Sequence, residues 1–182
     1  MDSSRLSTIP LLSQRDPRWA NVELGTGGTS LGQEGCTITA ACIAAAIAGN
    51  PTIPPVMNAA LLSKGGYYKS NRLIFAALEK VIPQLSYQGF INCVRVPAPM
   101  AEFFKALDDN GVALVQVYSR PIISVDYYHW VLAYDKTKEG DVLIVDPWTG
   151  KQGSLTQMFG WGKWNPARII LAFAMYKIKE IK

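Results

Sequence analysis

Histidine and cysteine are scarce in this chain of 182 residues, which has one histidine, His129, and three cysteines. An odd number of cysteines argues against a disulfide framework. Cys36 and Cys42, placed on one helix, would stand about 9 Å apart along its axis, too far to bridge. Cys42 and Cys93 both lie in apolar surroundings and read as small buried hydrophobes. One histidine with three scattered cysteines makes no metal-ligand spacing. No metal and no cofactor is therefore expected. Clustered positive charge is also missing. The formal net charge of +4 permits contact with an anionic surface but does not indicate a nucleic-acid binder. No apolar run is long enough to span a membrane. The longest, Ile38 to Ala48, is short and Ala-rich and suggests a buried helix. Met1 to Ser7 carry no apolar signal core, so synthesis in a cytosol is expected, with any action outside the cell reached by another route. There is no internal repeat and no low-complexity linker.

What is present is enough apolar sequence for a core. Hydrophobic residues make up 49% of the chain, which excludes a disordered protein. The length suits a single domain over residues 1–182. The first 35 residues read as irregular, with Pro10, Pro17 and a Gly-rich stretch from Gly25 to Gly35. Loops of that length in a compact domain are usually functional. A central helix is expected from Thr37 to Ala48, stopped by Gly49-Asn50-Pro51. Further helices are expected at Val56 to Ser63, at Asn71 to Val81 with Ser70 as N-cap, and at Pro99 to Asp109. Strands are expected at Ser86 to Val96, Val112 to Tyr118, Val125 to Tyr134, Val142 to Val145 and Arg168 to Ile178. Helices first and strands after is an α+β order. It predicts a helical half, about residues 1–83, packed on an antiparallel sheet half, about 84–182, with a cleft between them.

Three residues carry the chemistry. Cys36, preceded by Gly35, opens the central helix, where the dipole and unpaired N–H groups favour a thiolate. His129 lies in the strand-like run Tyr127 to Tyr134, and Asp146 ends the apolar run Val142 to Val145. These two segments should pair as a hairpin. With Asp135 opposite Val142, Trp148 faces His129 and Asp146 lies one diagonal step away on the same face. A slip of one residue would put His129 and Asp146 on opposite faces. Asp146 also reads as a turn-former in Asp-Pro-Trp-Thr-Gly, and both roles can hold at once. Together the three residues make a nucleophile, a base and an orienting group. An oxyanion donor is needed as well. The backbone N–H of Cys36 is one, and a side-chain amide from Gln14 or Gln33 is the second. Chemistry alone does not choose between these glutamines.

The segment Ile9 to Ala20, with Gln14, Asp16 and Trp19, is followed by Leu24-Gly25 and by Thr29 to Thr37 around Cys36. Then come Pro54 to Leu62, Gly65-Gly66-Tyr67, His129-Trp130-Val131-Leu132 and Asp146 to Gly150. This ordered set resembles the C39-like group of papain-fold cysteine peptidases. The resemblance implies a papain-like fold with Cys36 as nucleophile, His129 as base, Asp146 as orienting residue and Gln14 as oxyanion donor. Transporter-linked relatives carry their glutamine only a few residues before the cysteine, which keeps Gln33 as the alternative.

The expected activity is a thiol-dependent hydrolase of amide or peptide bonds. Its implied substrates are a peptide leader or the stem peptides of bacterial cell wall, as for phage and bacterial lysins. Delivery would then be virion-associated or would depend on host lysis. Acyl transfer on the same site, and a silent binding protein of the same fold, are the alternatives. Trp19 and Trp130 read as core. Trp148 is a candidate groove residue, and the loop from Trp161 to Trp164 is a candidate exposed lip.

Overall fold

The computed structural model describes residues 9–119, 127–160 and 165–179. Among the described residues the first helix is a single turn, α1 (Leu31–Glu34), followed by α2 (Cys36–Ile47). Helix α2 is buried on nearly every side, from Ile38 through Ala45 and again at Ile47. A helix without a polar face has to lie at the centre of the molecule. It ends in a Schellman motif: Gly49 N–H donates to Ala46 and Asn50 N–H to Ala45, with Gly49 at φ +82°. Next come α3 (Pro54–Ser63), a short hairpin of β1 (Tyr67–Tyr68) and β2 (Arg72–Leu73), a 3₁₀ turn (Phe75–Ala77) and α4 (Leu78–Val81).

The hairpin corrects the helix expected from Asn71 to Val81, only the second part of which is helical. Lys69 and Ser70 take left-handed φ values of 46° and 72°, so Ser70 is a turn residue and not an N-cap. No Gly or Asn-Gly marks that turn. It is held from outside: the Ser70 carbonyl accepts the Thr26 N–H at 2.9 Å. Gly25 packs so closely on Ser70 that a Cβ there would lie 1.9 Å from the Ser70 oxygen. Tertiary contact has overridden local propensity.

The remaining strands form one six-stranded antiparallel sheet in the order β3-β8-β4-β5-β6-β7. They are β3 (Leu85–Asn92), β4 (Gly111–Ser119), β5 (Tyr127–Lys136), β6 (Val142–Asp146), β7 (Lys151–Ser154) and β8 (Ala172–Ile178). Helices α5 (Met100–Asp108), α6 (Leu155–Phe159) and α7 (Pro166–Ile169) complete the chain. The strand expected from Arg168 starts only at Ala172, because Asn165 caps a helical turn opened by Pro166. Strand β7 and helix α6 were not expected from the sequence.

Both sheet faces are covered. Val112, Leu114, Leu132, Tyr134, Ala174 and Tyr176 join the core around α2. The alternate residues Val115, Val117, Val131, Ala133 and Phe173 join a second core with Phe103 and Leu107 of α5 and Leu155 of α6. This double burial explains why the central strands are apolar at successive positions and do not alternate. The fold is α+β, with helices packed on an antiparallel sheet. Among the described residues, no helix is long and apolar enough to cross a membrane.

The irregular N-terminal segment is tied down by its own polar groups. Trp19 is buried and its Nε1 donates to the Ser13 carbonyl at 2.9 Å. Asn58 of α3 is the second anchor. Its Nδ2 donates to the Glu23 carbonyl (2.9 Å), while its Oδ1 accepts from Gly25 N–H (3.0 Å) and the Tyr67 hydroxyl (2.6 Å).

Candidate active site

Two adjacent registers position His129 and Asp146. Near the β5–β6 turn, Lys136 pairs with Val142 and Asp135 with Leu143. The expected pairing of Asp135 with Val142 is therefore off by one residue at this end. Carried through unchanged, the observed register would place Asp146 beside Leu132, on the opposite face from His129. A β-bulge intervenes between Ala133 and Asp135, and beyond it Ala133 pairs with Ile144 and Leu132 with Val145. One step further, Asp146 comes beside Val131 on the face of His129. His129 Nε2 and Asp146 Oδ1 are then 2.6 Å apart.

Asp146 serves the turn as well as the imidazole. Its Oδ1 accepts the Trp148 N–H at 2.9 Å, and its Oδ2 accepts the Thr149 hydroxyl at 2.7 Å. The carboxylate is buried, which by itself would raise its pKa. The His129 bond and charge, with the Thr149 and Trp148 donors, outweigh burial and hold it below the usual carboxylate range.

His129 is 7% exposed and has the Phe159 ring at 6.1 Å. Burial disfavours its charged form, but hydrogen bonds to Asp146 and Cys36 prevail and raise its pKa to about 9. With Nε2 on Asp146, Nδ1 is the ring atom left for Cys36. Burial likewise raises the Cys36 thiol, and the His129 bond and charge, the Trp130 backbone N–H and Thr37 reverse this to a net lowering. The two shifts together favour a thiolate beside an imidazolium. Cys36 is partly exposed, whereas Cys42 and Cys93 are buried. As the first residue of α2, Cys36 also has an N–H in the turn whose donors lack intrahelical acceptors.

The glutamines are separated by their surroundings. Gln14 is 1% exposed; its Nε2 donates to the Gly32 carbonyl at 3.2 Å, and its Oε1 is buried without a hydrogen-bond partner. Gln33 is exposed, and its Oε1 accepts the Ser30 N–H at 2.9 Å as a cap on α1. The structure thus brings Gln14 into the interior between Gly32 and Pro147, and leaves Gln33 on the surface.

Sequence reasoning did not single out Thr149 or the Trp130 N–H. The spacing of Thr149 from Asp146 in the turn motif is a usable signal for the first, whereas a backbone donor leaves none. Trp19 is buried and Trp130 partly so, while Trp148 is 44% exposed. The expected lip from Trp161 to Trp164 lies outside the described residues. Among those described, no group of three or more His, Cys, Asp or Glu residues is placed to hold a metal ion.

No protein-family model matches this chain, and no curated protein matches it. Among solved structures, a variant of the Salmonella effector SpvD is similar over 99% of this chain and 79% of that chain, at 11% sequence identity and a TM-score of 0.44. A likeness at that level carries no argument about activity.

Proposed function

We propose that this protein is a papain-like thiol hydrolase of amide or peptide bonds, of the C39-like kind that its motifs resemble. One observation carries the reading: a partly exposed cysteine at the start of a buried helix is coupled in charge to an imidazole that is itself bonded to a buried carboxylate at 2.6 Å. In the proposed reaction the Cys36 thiolate attacks the substrate carbonyl. The Cys36 N–H and Gln14 Nε2 hold the oxyanion. One Nε2 hydrogen is engaged by Gly32, and the amide has a second. The His129 imidazolium then protonates the leaving amine, and the C–N bond breaks to give a thioester. Neutral His129 next deprotonates a water that attacks the thioester, releasing the acid and restoring the thiolate–imidazolium pair. Asp146 stays ionised throughout and fixes the ring. The active cleft would lie where the α2 N-terminus meets β5.

Peptide leaders and cell-wall stem peptides are the proposed substrate classes. The test is mass spectrometry of products after incubation with peptidoglycan and with a peptide library. New amino termini formed by the wild type and not by Cys36→Ala are the expected result. No product, and no mass adduct on Cys36, would exclude the reading. Products that incorporate an added amine in place of water would assign acyl transfer.

A further inference from the structure

Arg15 is the residue after Gln14. Its guanidinium lies 4.7 Å over the ring of Trp148, and both residues are exposed. Its neighbour Arg18 differs: the Arg18 guanidinium donates to both carboxylate oxygens of Asp16, at 2.9 and 2.6 Å. Among the described residues, no carboxylate pairs with Arg15. A guanidinium held over a ring in this way keeps N–H donors with which it can fork a carboxylate. The platform is fixed on the His129–Asp146 side of the site. Trp148 N–H donates to Asp146 at 2.9 Å, the Trp148 carbonyl accepts from the Ser13 hydroxyl at 3.1 Å, and Gln14 N–H donates to Pro147 at 2.8 Å.

We infer that Arg15, stacked on Trp148, is a specificity-determining subsite for a carboxylate on the leaving-amine fragment of the substrate. The assignment to the leaving fragment rests on the hydrolase reading above. His129 hands its proton to the departing nitrogen, so the fragment beyond that nitrogen lies toward the side on which Asp146 and Trp148 sit. The carboxylate is either a C-terminal α-carboxylate or an acidic side chain near the new amino terminus. Arg15 acts here by binding and positioning, and no bond changes at it.

Binding tests this without turnover. Folded Cys36→Ala protein is titrated, with NMR shifts as readout, with three product-like probes carrying a free amino group: Ala-Gly acid, Ala-Asp-amide and Ala-Asn-amide. At least one acidic probe should bind about fivefold or more tightly than the neutral one at low salt, the scale of a well-aligned exposed pair. The preferred acidic probe identifies which carboxylate is read. Arg15→Gln should abolish the preference, Arg15→Lys should retain part of it, and added salt should weaken it. Equal binding of all three probes, or a preference that survives in Arg15→Gln, would overturn the inference. An equal loss for all probes in Arg15→Gln would also overturn it, since Arg15 would then only prop Trp148. Failure of the hydrolase reading shows separately, as absence of Cys36-dependent cleavage by the wild type.

Discussion

The backbone N–H of Gln14 donates to the carbonyl of Pro147 across 2.8 Å, joining the N-terminal segment to the residue that follows Asp146. Two parts of the chain far apart in sequence thus share one rigid corner. On the other side, the Gln14 amide reaches Gly32, four residues before Cys36.

Gln14→Ala should therefore lower turnover and leave substrate binding nearly unchanged. Loss of one oxyanion donor costs about 3 kcal/mol of transition-state stabilisation, roughly a hundredfold in rate. Gln33→Ala should instead lower stability by about 0.5–2 kcal/mol through its capping bond, with turnover retained. Steady-state kinetics and urea unfolding of both variants separate the roles. The reverse pattern would make Gln33 the donor.

Cys36 should be the thiol alkylated first. Its thiol is lowered, whereas burial raises those of Cys42 and Cys93. Limiting iodoacetamide at about pH 6, below the ordinary thiol range, followed by peptide mapping, should place the adduct on Cys36. Preferential labelling of either buried cysteine would contradict the electrostatics described.

Asp146→Asn should fold but turn over more slowly, by roughly a hundredfold to ten-thousandfold, with a smaller loss than Cys36→Ala. The pH profile gives the sign. In the wild type the imidazolium persists up to about 9, so the alkaline limb of activity should fall there. Without the carboxylate, the burial that disfavours a charged imidazole is less opposed, and this limb should move to lower pH. An unchanged alkaline limb would assign that ionisation to another group, and an unfolded variant would show that the turn contacts to Trp148 and Thr149 dominate.

Asn58→Ala removes a buried amide that holds Glu23, Gly25 and Tyr67. Leaving those groups unpaired should cost about 2–4 kcal/mol, read as a lower urea midpoint. A loss under about 0.5 kcal/mol would mean that water replaces the side chain without penalty.

How much of this was legible depended on the range of the cause. Helix α2 was legible because its signals are local: an unbroken apolar run and the Gly49-Asn50-Pro51 stop. The central strands were legible for the same reason, as apolar runs between turn residues. The β1–β2 hairpin was not, because its left-handed turn at Lys69 and Ser70 is set by Thr26 and Gly25 far away in sequence. The turn at Asn165-Pro166 carried a readable cap that the apolar residues after it masked. At the site, Cys36, His129 and Asp146 stood out as residue types in context. Separating Gln14 from Gln33 required burial, which sequence spacing does not encode.

The bulge in β5 sets an asymmetry in which length changes the β5–β6 hairpin tolerates. An insertion or deletion in the turn around Thr137 to Gly140 lies outside the bulge and leaves the Ala133–Ile144 register intact. Removing the single extra residue, Tyr134, would make Ala133–Ile144 and Asp135–Leu143 consecutive pairs and keep Asp146 on the face of His129, whereas drawing Tyr134 into the ladder opposite Ile144 would rotate Asp146 away from His129. Homologous chains with this site should therefore vary in hairpin length at the tip and stay constant between the bulge and His129. In an engineered graft of the pair, Tyr134 would have to be kept bulged or left out, and never paired.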